Sequence, residues 1–354
     1  MISYDVVEHG KPLQRAVRET PKPQGTEVLV RVTRCGVCHS DLHIWDGYFD
    51  LGGGKRFYVK DRGCVPPFTL GHEPFGVVEA LGPDAKGAPV GAKRIVYPWI
   101  GCGECAVCKA GQDNYCLQQR FVGVFRPGGY ASHLLVPHPK YLIDATGLDE
   151  SFAATLGCSG ITTYSAIRKL PQLTERDWVI VLGCGGLGMI ALSTLRALEI
   201  ERVIACDVDD SKLEAARKAG ARETVNSRDP QAALERIQKI SGGAIAGALD
   251  FVGMPATANL GLAALAKGGR YVICGLFGGE ITFSLPPIAQ RAIGIVGSYV
   301  GNLRELEEVV ALAKSGKLKP TPVETRPIAE VNRTLAELQA GKILGRVVLD
   351  VNEG

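Results

Sequence analysis

No block of like charge interrupts this 354-residue sequence; 40 basic and 37 acidic residues leave a net charge of +3. Without a basic stripe there is no electrostatic footprint for a nucleic-acid partner. A long apolar run is missing too. The longest uncharged stretch, Trp178 to Leu195, is punctuated by Gly183, Gly185, Gly186 and Gly188, whereas a spanning helix needs about 20 mostly apolar residues. The first ten residues carry Asp5 and Glu8 and no apolar stretch, unlike an export leader. There is no internal repeat and no disordered linker, and a composition of 46% hydrophobic and 22% charged residues fits packed domains. The expectation is a cytoplasmic chain with no membrane and no nucleic-acid partner. At roughly 150 residues per domain, its length suggests two domains, or one large one, with cores that need no disulfide.

What is present is cysteine, at eleven positions: 35, 38, 64, 102, 105, 108, 116, 158, 184, 206 and 274. In a reducing compartment, clustered cysteines bind metal or do chemistry more often than they pair. Cys102, Cys105, Cys108 and Cys116 stand at C-x2-C-x2-C-x7-C, within a lobe spanning 97–118. Four thiolates close a tetrahedral shell around zinc and leave no position for substrate, so that site is expected to be structural. An iron–sulfur cluster is the rival reading, but the last interval does not fit the bacterial ferredoxin run.

Up to about residue 150 the pattern is of short strands, such as Val28–Val32 and Gly76–Ala80, separated by Gly- and Pro-rich loops. Beyond about 160, strands alternate with helices. Strand candidates are 178–182, 203–206, 248–252, 271–274 and 293–296, and a helix capped by Asp210 or Ser211 stops at Gly220. This alternation predicts an α/β chain with a doubly wound parallel sheet. Helices over 302–315 and 329–340 and a strand over 346–350 complete the tail.

Gly183-Cys-Gly185-Gly186-Leu187-Gly188 follows a strand and opens a helix, and Asp207 ends the next strand nineteen residues after Gly188. That is the dinucleotide fingerprint: glycines admit the pyrophosphate to backbone amides, and the acidic residue hydrogen-bonds the ribose hydroxyls. A carboxylate at 207 repels a 2′-phosphate, so NAD is expected rather than NADP. Two further segments, Cys35 to His43 and Gly71-His72-Glu73, carry polar residues that a core would not favour. A catalytic zinc needs three protein ligands and one open position. Spacing alone does not select three from eleven cysteines and six histidines.

These segments, with Gly157-Cys-Ser-Gly-Ile-Thr-Thr-Tyr164, the cysteine lobe and the glycine turn, stand in an order that resembles the zinc-dependent medium-chain alcohol dehydrogenases over nearly the whole chain. The resemblance implies three parts. A GroES-like, β-rich catalytic domain covers 1–157, a Rossmann NAD-binding domain 158–296, and a segment 297–354 returns to the catalytic domain. It implies Cys38, His72 and Cys158 as catalytic zinc ligands, Glu73 as a transient or supporting ligand, and Asp41 as the carboxylate that orients His72. Ser40 and His43 match a proton relay, His39 and Arg346 contacts to the cofactor pyrophosphate, and Lys212 an adenosine-ribose contact. Two zinc ions and NAD are the implied cofactors. The implied chemistry is reversible hydride transfer between an alcohol and NAD, with zinc as Lewis acid and His43 exchanging the proton near an unperturbed pKa of about 6.5.

Cysteine at 158 favours alcohol over polyol dehydrogenases, which usually carry Glu there; an amino-alcohol substrate and a non-enzymatic NAD-binding role are the other readings. The remaining five cysteines match no ligand position and are expected in packing or loops. Residues 46–64 look like a loop insertion, most similar to bacterial members that include 6-hydroxyhexanoate oxidisers. Phe49 and Trp99 match aromatic walls of the substrate pocket. Four basic and two acidic residues from Tyr48 to Arg62 suggest a rim suited to a distal carboxylate. Family members form dimers or tetramers, and the bacterial type leans to a homotetramer.

Overall fold

The structure, a computed structural model, describes residues 1–352. The chain divides into two compact units, the first made of Met1–Phe49, Phe57–Ile161 and Gly301–Gly354, the second of Asp50–Arg56 and Thr162–Val300. The long segment of the second unit starts at Thr162, and Cys158 falls in the first unit.

In the first unit, the long strand Val28–Val37 is the spine. Antiparallel neighbours Glu73–Leu81 and Arg346–Asp350 flank it, with Lys93–Val96, Leu142–Asp144, His133–Val136 and Val323–Pro327 completing a seven-stranded sheet among the described residues. The strands expected at 28–32 and 76–80 lie within longer ones, Val28–Val37 and Glu73–Leu81. The first is buried from Val28 to Val37 except at Arg31 and Arg34, whereas Glu73–Leu81 is buried through Gly76 and opens to solvent toward its end. The tail strand pairs Val347 with Val37, which puts the end of the chain beside the segment that carries Cys38.

The second unit holds a parallel sheet in the order 223–226, 203–207, 178–182, 245–250, 270–273, 294–297. Trp178–Leu182 is buried along its whole length, as expected for a strand covered by helices on both faces. Alternate side chains feed two cores: Val179 and Val181 on one face, Trp178, Ile180 and Leu182 on the other. Each fully buried residue of this kind contributes about 1.5–3 kcal/mol. The strand order reverses direction between 178–182 and 245–250, and ligands bind such sheets at the carboxyl ends beside that reversal.

Two expectations change in detail. The helix after strand 203–207 is capped by Asp209, which accepts from the Ser211 amide, and spans Asp210–Ala219. The 46–64 segment is no loop: Tyr48–Gly52 and Lys55–Tyr58 form a hairpin, followed by a 3₁₀ turn over Val59–Arg62. Among the described residues, no helix is long and apolar enough to cross a membrane.

Candidate active site

The helix His39–Asp46 follows directly on the spine strand, with Cys38 as its N-cap. Its third residue, Asp41, sits at the positive end of the helix, where a carboxylate is favoured. Oδ2 of Asp41 reaches back to the Cys38 amide at 2.9 Å and accepts the Tyr130 hydroxyl proton at 2.9 Å. Oδ1 lies 3.0 Å from His72 Nδ1. One fully buried carboxylate thus caps the helix and fixes the imidazole, whose Nε2 is left buried without a hydrogen-bond partner.

Cys158 enters from a different element. The helix Glu150–Thr155 runs on into a π-helical turn, Leu156–Gly160, and such turns cluster at functional positions. Cys158 Sγ lies 4.0 Å from Cys38 Sγ. The ligand atoms of Cys38, His72, Glu73 and Cys158 all fall within 4.8 Å of one another, and all four residues are buried. A tetrahedral zinc with sulfur bonds of about 2.3 Å separates its sulfurs by about 3.8 Å. The thiol pair and the orphaned imidazole nitrogen therefore fit that ion.

Glu73 carries a second role. Arg346 Nη2 donates to its Oε1, while Oε2 and Arg346 Nε have no partner. Burial pushes the Glu73 carboxyl up to about 7 against the pull of Arg346. The guanidinium, expected at the cofactor pyrophosphate, donates through Nη2 to Glu73, and its Nε is buried without a hydrogen-bond partner.

The lobe cysteines also converge. Cys102 and Cys108 are 3.9 Å apart at sulfur, as are Cys105 and Cys116, and the four sulfurs lie within 4.8 Å of one another. Backbone N–H groups of Glu104 and Cys105 pull the Cys102 thiol down to about 6, which favours the thiolate a metal needs. The lobe is not all loop, for it contains the short helix Ala106–Lys109 and a 3₁₀ turn over Asp113–Tyr115.

Ser40 and His43 lie on the Cys38 helix, both half-buried. The His43 ring is 4.8 Å from Phe49 and 5.4 Å from His39, centroid to centroid. Burial and the neighbouring His39 lower its pKa to about 4, below the unperturbed imidazole value. Trp99 is buried with its indole N–H on the Gly157 carbonyl at 3.1 Å.

In the second unit, the turn after Trp178–Leu182 gives each glycine its own reason. Gly183 has φ +89. A Cβ on Gly188 would lie 1.9 Å from the Gly183 carbonyl oxygen, whereas one on Gly185 would meet nothing within 4 Å. Tight turn, open approach and close helix–strand packing are the three roles of a dinucleotide turn. The helix Gly186–Ala197 starts there, with Leu187 packed against the core. Asp207 accepts from the Cys184 amide at 2.7 Å, which ties the acidic residue to the turn. Lys212 is half-buried in the first turn of its helix. Cys184 and Cys274 pack in one core and Cys206 in the other; Cys35 and Cys64 are buried.

Tyr130 escapes a reading of the sequence. Gly129-Tyr-Ala131 carries no metal-ligand or relay spacing, and only the fold brings its hydroxyl to Asp41.

Residues 24–146 match the alcohol dehydrogenase GroES-like domain, and residues 186–315 match the zinc-binding dehydrogenase family. An NAD-dependent alcohol dehydrogenase of Sulfurisphaera tokodaii is 37% identical over 99% of both chains. One from Saccharolobus solfataricus is 38% identical over the same shares. The solved alcohol dehydrogenase of Aeropyrum pernix superposes with a TM-score of 0.88 at 32% identity, covering 99% of this chain and 100% of that one. With likeness of this extent along its full length, the chain belongs to the zinc-dependent medium-chain alcohol dehydrogenase family.

Proposed function

We propose that this chain is an NAD-dependent enzyme that moves a hydride reversibly between an alcohol and the cofactor, giving an aldehyde or ketone. The observation that carries it is the buried convergence of Cys38, His72 and Cys158, with His72 Nε2 free of hydrogen bonds and its Nδ1 fixed by Asp41. These three residues would hold a catalytic zinc, and Cys102, Cys105, Cys108 and Cys116 a structural one. Bound there, zinc supplies Lewis acidity toward an alcohol oxygen. Ser40 and His43 would carry the alcohol proton outward. A neutral His43 can accept on one ring nitrogen and release from the other. Gly183, Gly185, Gly188 and Asp207 would hold NAD, with Lys212 as a further contact. Thiolate ligands must stay reduced, which agrees with a cytoplasmic setting.

Metal analysis tests the reading: two zinc per chain are expected, and Cys38→Ser should leave one. A wild-type protein holding one zinc, confined to the lobe, would overturn the catalytic assignment.

The hairpin supports a finer substrate reading. Phe49 continues from His43 to Phe57, centroids 6.3 Å apart, and the Arg62 guanidinium stands 5.4 Å from the Phe57 ring. An aromatic run ending at a cation suits an extended alcohol with a distal carboxylate. 6-Hydroxyhexanoate should then exceed 1-hexanol in kcat/KM, and the advantage should shrink as salt screens it. Equal values at every ionic strength would refute this. Cys158 in place of Glu supports simple alcohols over polyols, which a substrate panel separates. A homotetramer is the proposed assembly, to be checked by analytical ultracentrifugation.

A further inference from the structure

Trp99 touches both halves of the candidate catalytic centre. Its indole N–H donates to the Gly157 carbonyl at 3.1 Å, the peptide directly before Cys158 in the π-helical turn. Its ring lies 5.4 Å from the His72 ring at 52°. Phe121 meets the indole edge-on, 5.3 Å away at 88°, a favoured aromatic geometry that fixes the ring plane. The indole is 5% exposed.

His72 and Cys158 come from elements with no local reason to stay in register: one precedes the strand Glu73–Leu81, the other lies in the π turn Leu156–Gly160. A π turn has weaker local preference than the α-helix around it, so its carbonyls need outside partners to hold one geometry. A zinc site tolerates ligand displacements of only a few tenths of an ångström. We infer that Trp99 is a positioning residue of the metal centre, bracing the Cys158 turn through its N–H and the His72 imidazole through its ring. Lining the substrate pocket would then be its lesser role. This rests on the metal reading above and adds to it a residue that binds no metal.

The test uses the holoenzyme with cobalt(II) exchanged into the catalytic site, and Trp99→Phe and Trp99→Leu variants. Phenylalanine keeps a ring beside His72 and loses the N–H; leucine loses both and is read only where its circular dichroism matches wild type, so phenylalanine decides. One lost hydrogen bond is expected to speed catalytic-metal release to a chelator by about three- to tenfold. The thiolate-to-cobalt and d–d bands should shift, while release of the lobe zinc stays at the wild-type rate. Unchanged cobalt spectra and release rates in Trp99→Phe, with only KM for the alcohol altered, would overturn the inference. A wild-type protein without a second metal would instead overturn the underlying site, so the two failures are distinguishable.

Discussion

Asp41 receives three donors on two oxygens, from Cys38, Tyr130 and His72, so removing any one donor tests how the imidazole is held. Tyr130→Phe deletes a buried hydrogen bond to a charged group, which costs about 1.5–3 kcal/mol. Chelator competition should show catalytic-zinc affinity falling about tenfold, the lower end for loss of a supporting group, with the lobe zinc unchanged. His43 makes a pH prediction. Its folded pKa of about 4 lies below the ordinary value of about 6.5, so between the two the unfolded chain binds more protons. Stability tied to neutral His43 is complete above about pH 6.5 and is lost as pH falls toward 4. Thermal melts should show a shallower loss over that window in His43→Asn than in wild type. Residue roles were legible unevenly. The lobe cysteines and the glycine turn announce themselves by spacing; Cys38 and Cys158 do not, and Tyr130 and the bracing contacts of Trp99 depend on long-range packing and leave no local mark.

Among the elements, the glycine turn separates two kinds of requirement. Gly188→Ala would force a Cβ to 1.9 Å from the Gly183 carbonyl oxygen, and overpacking of this sort costs about 1–3 kcal/mol. Gly185 has an ordinary extended backbone, φ −77 and ψ −160, with open space around it. Gly185→Ala should therefore melt within about 0.5 kcal/mol of wild type and yet bind NAD at least about tenfold more weakly, about 1.4 kcal/mol. Calorimetry paired with NAD titration distinguishes the two; equal effects on folding would defeat the distinction. The fingerprint was readable because strand, turn and helix are contiguous. The strand Glu223–Asn226 was not, since it pairs only with Ile204–Asp207 at the sheet edge and is only partly buried, so no apolar run marks it.

Across the whole molecule, both candidate metal sites belong to the first unit and the glycine turn to the second. Stripping both metals should lower the first unit's melting temperature and leave NAD-dependent stabilisation of the second measurable by calorimetry. Loss of NAD binding together with the metals would contradict that separation. The alternating strands and helices made the second unit visible in the sequence, whereas the pairing of Val347 with Val37 spans most of the chain and has no local signal. The unit division also bears on how the gene can be taken apart. Asp50–Arg56, the tip of the hairpin, counts with the second unit while its flanks count with the first. A cut at the two evident boundaries would leave that tip behind in the wrong piece, so this is not a modular insertion that recombination or cloning could exchange cleanly: a chimaera has to carry two segments of the second unit, not one.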